Sequence, residues 1–192
     1  MTTLPGFHHL VHDSQTTFRA LLKALSEPGT IQPISAAITP PAGLTPACAA
    51  ACLTLLDLET SVWLQPRFEA EVQAWLLFHT GCRFTDERQG ADFAVIQDTK
   101  EMPPLAAFNW GTAEQPENST SLLIQVESFE QGQLVSLTGP GILKERSLQI
   151  ATPVSFWEQW SENVQAYPLG VDCYFFTQAA VIALPRTTSA TN

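Results

Sequence analysis

The chain has 192 residues, 45% of them hydrophobic and 15% charged, enough apolar side chain to fill the core of one domain and too little charge for a disordered chain. Nine Lys and Arg face 19 Asp and Glu, for a formal net charge of -10. A field of that sign repels nucleic acid, anionic lipid and polyanionic small molecules, so any oxyanion site must be local, built from a few Arg, backbone N–H groups or a metal ion.

The opening MTTLPGFHHLVHD lacks the basic start and apolar centre of a signal peptide, and residues 1–13 are expected to form an arm. Asp13 and Ser14 then precede Phe18, Leu21, Leu22 and Leu25 at helical spacing, and Pro28-Gly29 stops the run, which predicts an amphipathic helix over 15–26. Thr45-Pro46 reads as cap and first position of a small-residue helix, PACAAACLTLLD. A short buried strand is predicted over 60–64, a helix from Pro66 to Leu77, and a strand over 91–96. Residues 101–120 are irregular, and such loops are often functional or interfacial. Strands over 121–129 and 133–138 are expected to pair antiparallel through a turn at Gln131-Gly132. A strand over 147–150 leads to a helix beginning at Thr152-Pro153, and strands over 172–177 and 180–184 close the chain before a frayed tail at 187–192. Strands alternate with helices while hairpins break the rhythm, which predicts a single α/β domain with a mixed β-sheet flanked by helices. No apolar run approaches the roughly 18 residues of a membrane span. The four cysteines, Cys48, Cys52, Cys82 and Cys173, are sparse, which suits free thiols in the cytoplasm.

Gly139-Pro140-Gly141 follows a strand and is either a sharp turn or a ligand-approach loop. It lacks the Lys-Ser or Lys-Thr of a phosphate loop and the third glycine of a dinucleotide fingerprint, and its proline removes a donor. His8, His9 and His12 resemble a metal cluster, but Asp13 is the sole carboxylate near them, and a solvated or partner-packed arm explains them too. His79 falls at a helix end, where a cation suits the dipole. Cys48 and Cys52 share one helix face as small hydrophobes, and no cysteine triad for an iron–sulfur cluster exists. Lys100, after the strand over 91–96, is the candidate for a Schiff base, set in the polar run QDTKE. Asp57 and Glu59 form an acidic pair that is either solvated or a weak Mg²⁺ site. Asp172 enters one terminal strand and Arg186 leaves the other with Thr187 and Thr188 beside it. Pairing of those strands brings Asp172 and Arg186 together, either as a structural ion pair or as a bidentate oxyanion clamp.

The segments TFRALLKALSEPGTI, LLDLETSVWL, ADFAVI, PENSTSLLIQVESF, LTGPGI, YPLGVDCYFF and ALPRTT, in this order over roughly 18–188, resemble the PhnH family, the H subunit of the bacterial carbon–phosphorus lyase system. The Asn-Ser-Thr-Ser of PENSTSLLI, Tyr167 and the histidine arm depart from the family pattern. The resemblance implies a role in organophosphonate catabolism under phosphate starvation. It implies a cytoplasmic homodimer working with the G, I and J subunits of alpha-D-ribose 1-methylphosphonate 5-triphosphate synthase. That assembly moves the ribose triphosphate of MgATP onto methylphosphonate and releases adenine. The implied fold is that of the large domain of type I pyridoxal-phosphate transferases without the cofactor site, so this chain is expected to bind no PLP and no iron–sulfur cluster, with MgATP a substrate of the complex. No catalytic residue follows from the resemblance. The substrate-binding expectation rests on Arg186 as oxyanion clamp, Thr187 and Thr188 as hydroxyl donors and Asp172 as orienting partner; the alternative is a non-catalytic scaffold for the core complex.

Overall fold

The computed structural model describes residues 4–191. Four helices and ten strands follow in the order α1 (Leu10–Ser26), β1 (Gln32–Pro33), α2 (Pro46–Leu55), β2 (Ser61–Leu64), α3 (Ala70–Thr80), β3 (Arg83–Phe84), β4 (Phe93–Ile96), β5 (Ser121–Gln125), β6 (Leu134–Thr138), β7 (Arg146–Gln149), α4 (Val154–Gln165), β8 (Asp172–Phe176), β9 (Ala180–Leu184) and β10 (Ser189–Thr191). Seven strands form one mixed sheet in the order β1-β9-β8-β5-β4-β2-β3, and β10-β6-β7 form a small antiparallel sheet. In the large sheet β3, β2, β4, β5 and β8 run parallel, while β9 runs antiparallel to β8 and β1 antiparallel to β9.

Alternation along the central strands divides the core into two layers. Val62, Val95, Leu123, Tyr174, Phe176, Val181 and Ala183 face the layer of α1, α2 and α3. Their neighbours Trp63, Ala94, Ile96, Leu122, Ile124, Cys173, Phe175, Ile182 and Leu184 face α4 and the small sheet. Burial on both faces is what a continuous apolar run such as SLLI requires, and it marks β5 as a central parallel strand.

The expected mixed α/β sheet flanked by helices is what folds, and several elements differ from expectation. β5 and β6 do not form a hairpin. β5 is buried along its length and pairs parallel with β4 and β8, whereas β6 alternates between buried and exposed positions and pairs with β7 and β10. One continuous and one alternating apolar pattern cannot share a sheet with one solvated face. α1 begins at Leu10, and Asp13 is inside it, its carboxylate accepting from the His9 N–H at 2.9 Å. α3 begins at Ala70, since a turn at Gln65–Phe68 intervenes, and Gly81 ends it in the left-handed conformation at φ 70°. The Thr45 cap holds, its side chain accepting from the Cys48 N–H, but Thr152 is not the corresponding cap of α4, which starts after Pro153 with no side-chain cap. At the tail, Ser189–Thr191 pair with β6 instead of fraying.

Gly139-Pro140-Gly141 turns the β6–β7 hairpin. Gly141 sits at φ 81°, and a Cβ there would lie 2.2 Å from the Ser26 carbonyl oxygen at the end of α1. The Arg146 guanidinium donates to the Pro28 carbonyl beside it, so the loop seats the small sheet against the end of α1. Residues 1–3 of the expected arm lie outside the described residues; from Leu4 on it packs on its own chain, with Trp75 Nε1 and His79 Nε2 both 3.0 Å from the Leu4 carbonyl oxygen.

Candidate functional site

Three strands end in the same way: VWLQ at 62–65, AVIQ at 94–97 and LLIQ at 122–125. Ile96 is paired with Ile124, so Gln97 and Gln125 come side by side at the carboxyl end of the sheet. That end, where parallel strands change direction of connection, is where open α/β sheets hold ligands. Here it carries a cleft of about 750 Å³, lined among others by Gln97, Lys100, Gln125, Glu127 and Thr152.

Two buried glutamines build its walls. Gln65, 3% exposed, accepts from the N–H groups of Gln97 and Asp98 at 2.8 and 2.9 Å and donates to the Asp98 carbonyl at 3.1 Å. Gln125, 6% exposed, accepts from the Thr45 N–H at 2.5 Å and donates to the Gly43 carbonyl at 2.9 Å. Both loops are thereby fixed by side chains from strand ends. Gly43, at φ 90°, lets its loop approach the Gln97 side chain, whose Nε2 would lie 2.8 Å from a Cβ there.

Charge in the cleft is mixed. Arg67 spans Asp98 at 3.3 Å and Glu101 at 3.0 Å. Glu101, then Asp98, hold its guanidinium still more firmly in the charged form, although such an exposed pair adds little to stability. Lys100 is exposed and forms no salt bridge among the described residues, and neither does Glu127. Two buried side-chain atoms in the lining have no hydrogen-bond partner: Gln97 Oε1 and Thr152 Oγ1.

Of the candidate site residues named from the sequence, Lys100 lines this cleft and the others lie elsewhere. Asp172 and Arg186 do meet, at the opposite end of the sheet. Arg186 Nε and Nη2 donate to Asp172 Oδ1 and Oδ2 at 3.2 and 2.6 Å, Nη2 also donates to Ser119 Oγ at 2.5 Å, and Nη1 donates to the carbonyls of Pro116 and Pro168 at 3.0 and 3.4 Å. All five guanidinium protons thus have protein acceptors, and an oxyanion would have to displace one. Thr188 is fully buried, with its carbonyl accepting from Trp160 Nε1 at 2.9 Å, while Thr187 stays half-buried beside Gly139. Asp57 Oδ1 accepts from the N–H groups of Glu59 and Thr60 in a local turn. His8, His9 and His12 are exposed, and no metal-binding group of three ligands occurs among the described residues. Cys48 and Cys52 are buried in α2, as core packing requires. The site residues that sequence reasoning missed are Gln65, Gln97, Gln125 and Thr152; the available signal was the threefold ending of an apolar run in glutamine.

Comparison with known proteins adds a family. Residues 5–191 match the family model described as "Bacterial phosphonate metabolism protein (PhnH)". The chain is 37% identical over 187 residues to a Rhizobium meliloti (strain 1021) protein named "Alpha-D-ribose 1-methylphosphonate 5-triphosphate synthase subunit PhnH", covering 95% of this chain and 92% of that one. It is 31% identical over 175 residues to a Stutzerimonas stutzeri protein named "Putative C-P lyase subunit protein HtxG", covering 91% of this chain and 84% of that one.

Proposed function

The chain belongs to the PhnH family of bacterial phosphonate metabolism proteins, and from that premise we propose that it is the H-type subunit of a carbon–phosphorus lyase system. In this reading it supports transfer of the ribose triphosphate of MgATP to methylphosphonate, with release of adenine, and the strand-end cleft is its working site. The observation that carries the reading is the family match over residues 5–191. The cleft supports it by offering fixed loops and polar groups without protein partners at the place where α/β sheets take ligands. In this reading the mixed sheet is that of the large domain of a type I pyridoxal-phosphate transferase without the cofactor site. In keeping with the cofactor-free reading, purified protein is expected to show no aldimine absorbance band and no iron–sulfur cluster.

The partners in this reading are a second copy of the chain and the G, I and J subunits, in the cytoplasm. Leu10, Val11, Phe18 and Leu22 on α1 and Leu77 and Phe78 on α3 are large apolar side chains left exposed. Exposed apolar side chains of that kind suit a protein contact, which the first reading and the second, a scaffold without catalytic groups, both require. No helix among the described residues is long and apolar enough to cross a membrane.

Adenine release from MgATP and methylphosphonate separates these readings. The chain alone, the partner subunits alone and the mixture are assayed, with turnover normalised to assembled complex. Turnover confined to the mixture supports the subunit reading; equal turnover without this chain refutes it. A gain only in the amount of complex, with unchanged turnover, selects the scaffold. An oxyanion role for Arg186, Asp172, Thr187 and Thr188 is tested in the same assay, because Arg186→Ala must then lose more activity than folded protein.

A further inference from the structure

Resting on the reading of this chain as a subunit, we infer that the outer face of α1 docks an acidic amphipathic helix of a partner protein. Val11, Phe18 and Leu22 are exposed on α1, whose inner side is already packed through Thr17, Leu21 and Ala24. Helix positions three, four or seven apart fall on one side, so these three apolar side chains form a single stripe. Along one edge the stripe borders a groove of about 510 Å³ between α1 and α2, where Leu10, Val11 and Phe18 meet Leu53 and Thr54.

Charge names the occupant. Each residue of the stripe is followed by a basic one: Val11 by His12, Phe18 by Arg19 and Leu22 by Lys23. One residue along a helix is a rotation of about 100°, so His12, Arg19 and Lys23 form a second strip beside the first. All three are exposed and none forms a salt bridge among the described residues, in a chain with 19 Asp and Glu. The one acid within α1, Asp13, is half-buried and accepts from the His9 N–H, and Glu27 comes after the last turn. A partner helix with an acidic flank is drawn to the basic strip, and its apolar side covers Val11, Phe18 and Leu22. A second copy docked by the same face brings the same basic strip and no acidic counterpart. An anionic bilayer also attracts basic amphipathic helices, but the net charge of -10 opposes its approach.

The test is fluorescence anisotropy of the full chain with a labelled helical peptide carrying leucine at i, i+3, i+4 and i+7 and glutamate on the flanks. A twin with lysine in place of glutamate, and vesicles of phosphatidylcholine and phosphatidylserine, represent the alternatives. The Glu peptide is expected to saturate, and the Lys peptide to bind roughly tenfold more weakly or worse. Phe18→Ala should weaken the Glu peptide roughly fivefold or more, as loss of a central anchor does. Arg19→Glu combined with Lys23→Glu should weaken it roughly tenfold or more and reverse the preference between the two peptides. Lys144→Glu, on the turn between β6 and β7, is the control and should change affinity by less than about twofold, because salt screens a distant charge. All four positions are exposed, so the variants keep the fold. The proposal is overturned if the Glu peptide shows no saturable binding up to about 1 mM, or if the two peptides bind equally. It is equally overturned if vesicles bind in place of the peptide, or if the double variant matches wild type. The subunit reading fails separately: if wild type binds the Glu peptide but never joins the partner subunits, the docking face stands and that reading does not.

Discussion

Arg186 and Asp172 are joined at three points: the backbone N–H of Arg186 donates to Asp172 Oδ1 at 2.7 Å, and two guanidinium protons reach the same carboxylate at 3.2 and 2.6 Å. The pair stands where β8 begins and β9 ends, and the same guanidinium holds Ser119 and Pro116, just before β5. With side chains only 13% and 24% exposed, both charges depend on each other. Removing one partner of such a pair is more damaging than the pair is stabilising.

Arg186→Ala should destabilise the fold by about 2–4 kcal/mol, by leaving Asp172 and Ser119 without donors. In a domain of this size that lowers the melting temperature by about 2–4 °C per kcal/mol. Arg186→Lys should recover only part, since an ammonium cannot span both carboxylate oxygens and Ser119 together. Urea denaturation measures both, and a midpoint for Arg186→Ala equal to wild type refutes the brace.

Gly141→Ala tests whether the Gly-Pro-Gly loop is a packed turn. At φ 81°, with the Ser26 carbonyl oxygen 2.2 Å from the new Cβ, alanine meets both backbone strain and a backbone clash. The strain alone costs roughly 1–2 kcal/mol. Gly90→Ala is the matched control, because its Cβ has nothing within 4 Å and no positive φ is recorded there. A Gly141→Ala protein as stable as Gly90→Ala would mean that the loop stands clear of α1.

All four thiols are buried. Burial, first, and then the neighbouring Cys52 push the Cys48 thiol well up; burial and then Asp172 do the same to Cys173, and burial raises Cys82. The folded protein should therefore react negligibly with a thiol reagent near pH 8 and fully once unfolded. The sign of the linkage follows, since a raised folded pKa favours the neutral thiol in the fold. Stability is intact below the ordinary thiol pKa of about 8.5 and declines as pH rises above it. Fast labelling of any cysteine in the native state would contradict this placement.

Local rules carried the helices and the last hairpin. Thr45-Pro46 opens α2 as its cap chemistry requires, and Gln178-Ala179 turns β8 into β9. Partner choice was not local. SLLIQ and LVSLT are adjacent in sequence, yet burial on both faces draws the first into the large sheet and leaves the second to β7 and β10. The site was hidden for a related reason. Charged and nucleophilic residues drew attention to Arg186 and Lys100, of which Lys100 does line the cleft, while the loops there are held by the neutral side chains of Gln65 and Gln125. Only the recurrence of glutamine after Leu64, Ile96 and Ile124 hinted at it.

Gln125 provides the sharpest test of that construction, because its two ends do opposite things. The oxygen accepts from the Thr45 N–H and the nitrogen donates to the Gly43 carbonyl. Gln125→Leu keeps the size but strands both backbone groups, and should cost about 1–3 kcal/mol. Gln125→Glu keeps the acceptor and turns the donor into a second oxygen facing the Gly43 carbonyl. Its carboxyl is then favoured in the neutral form, whose O–H can donate, so its folded pKa lies above the unfolded value of about 4.3. The stabilising form is present below the unfolded pKa and lost as pH rises through the folded one. Relative to wild type, the Glu variant should thus be weakest near neutral pH and recover on acidification, whereas the Leu variant should show a constant deficit. Urea midpoints at about pH 7 and about pH 5 distinguish the two, and a pH-independent Glu variant would show that the Gly43 carbonyl does not need the donor.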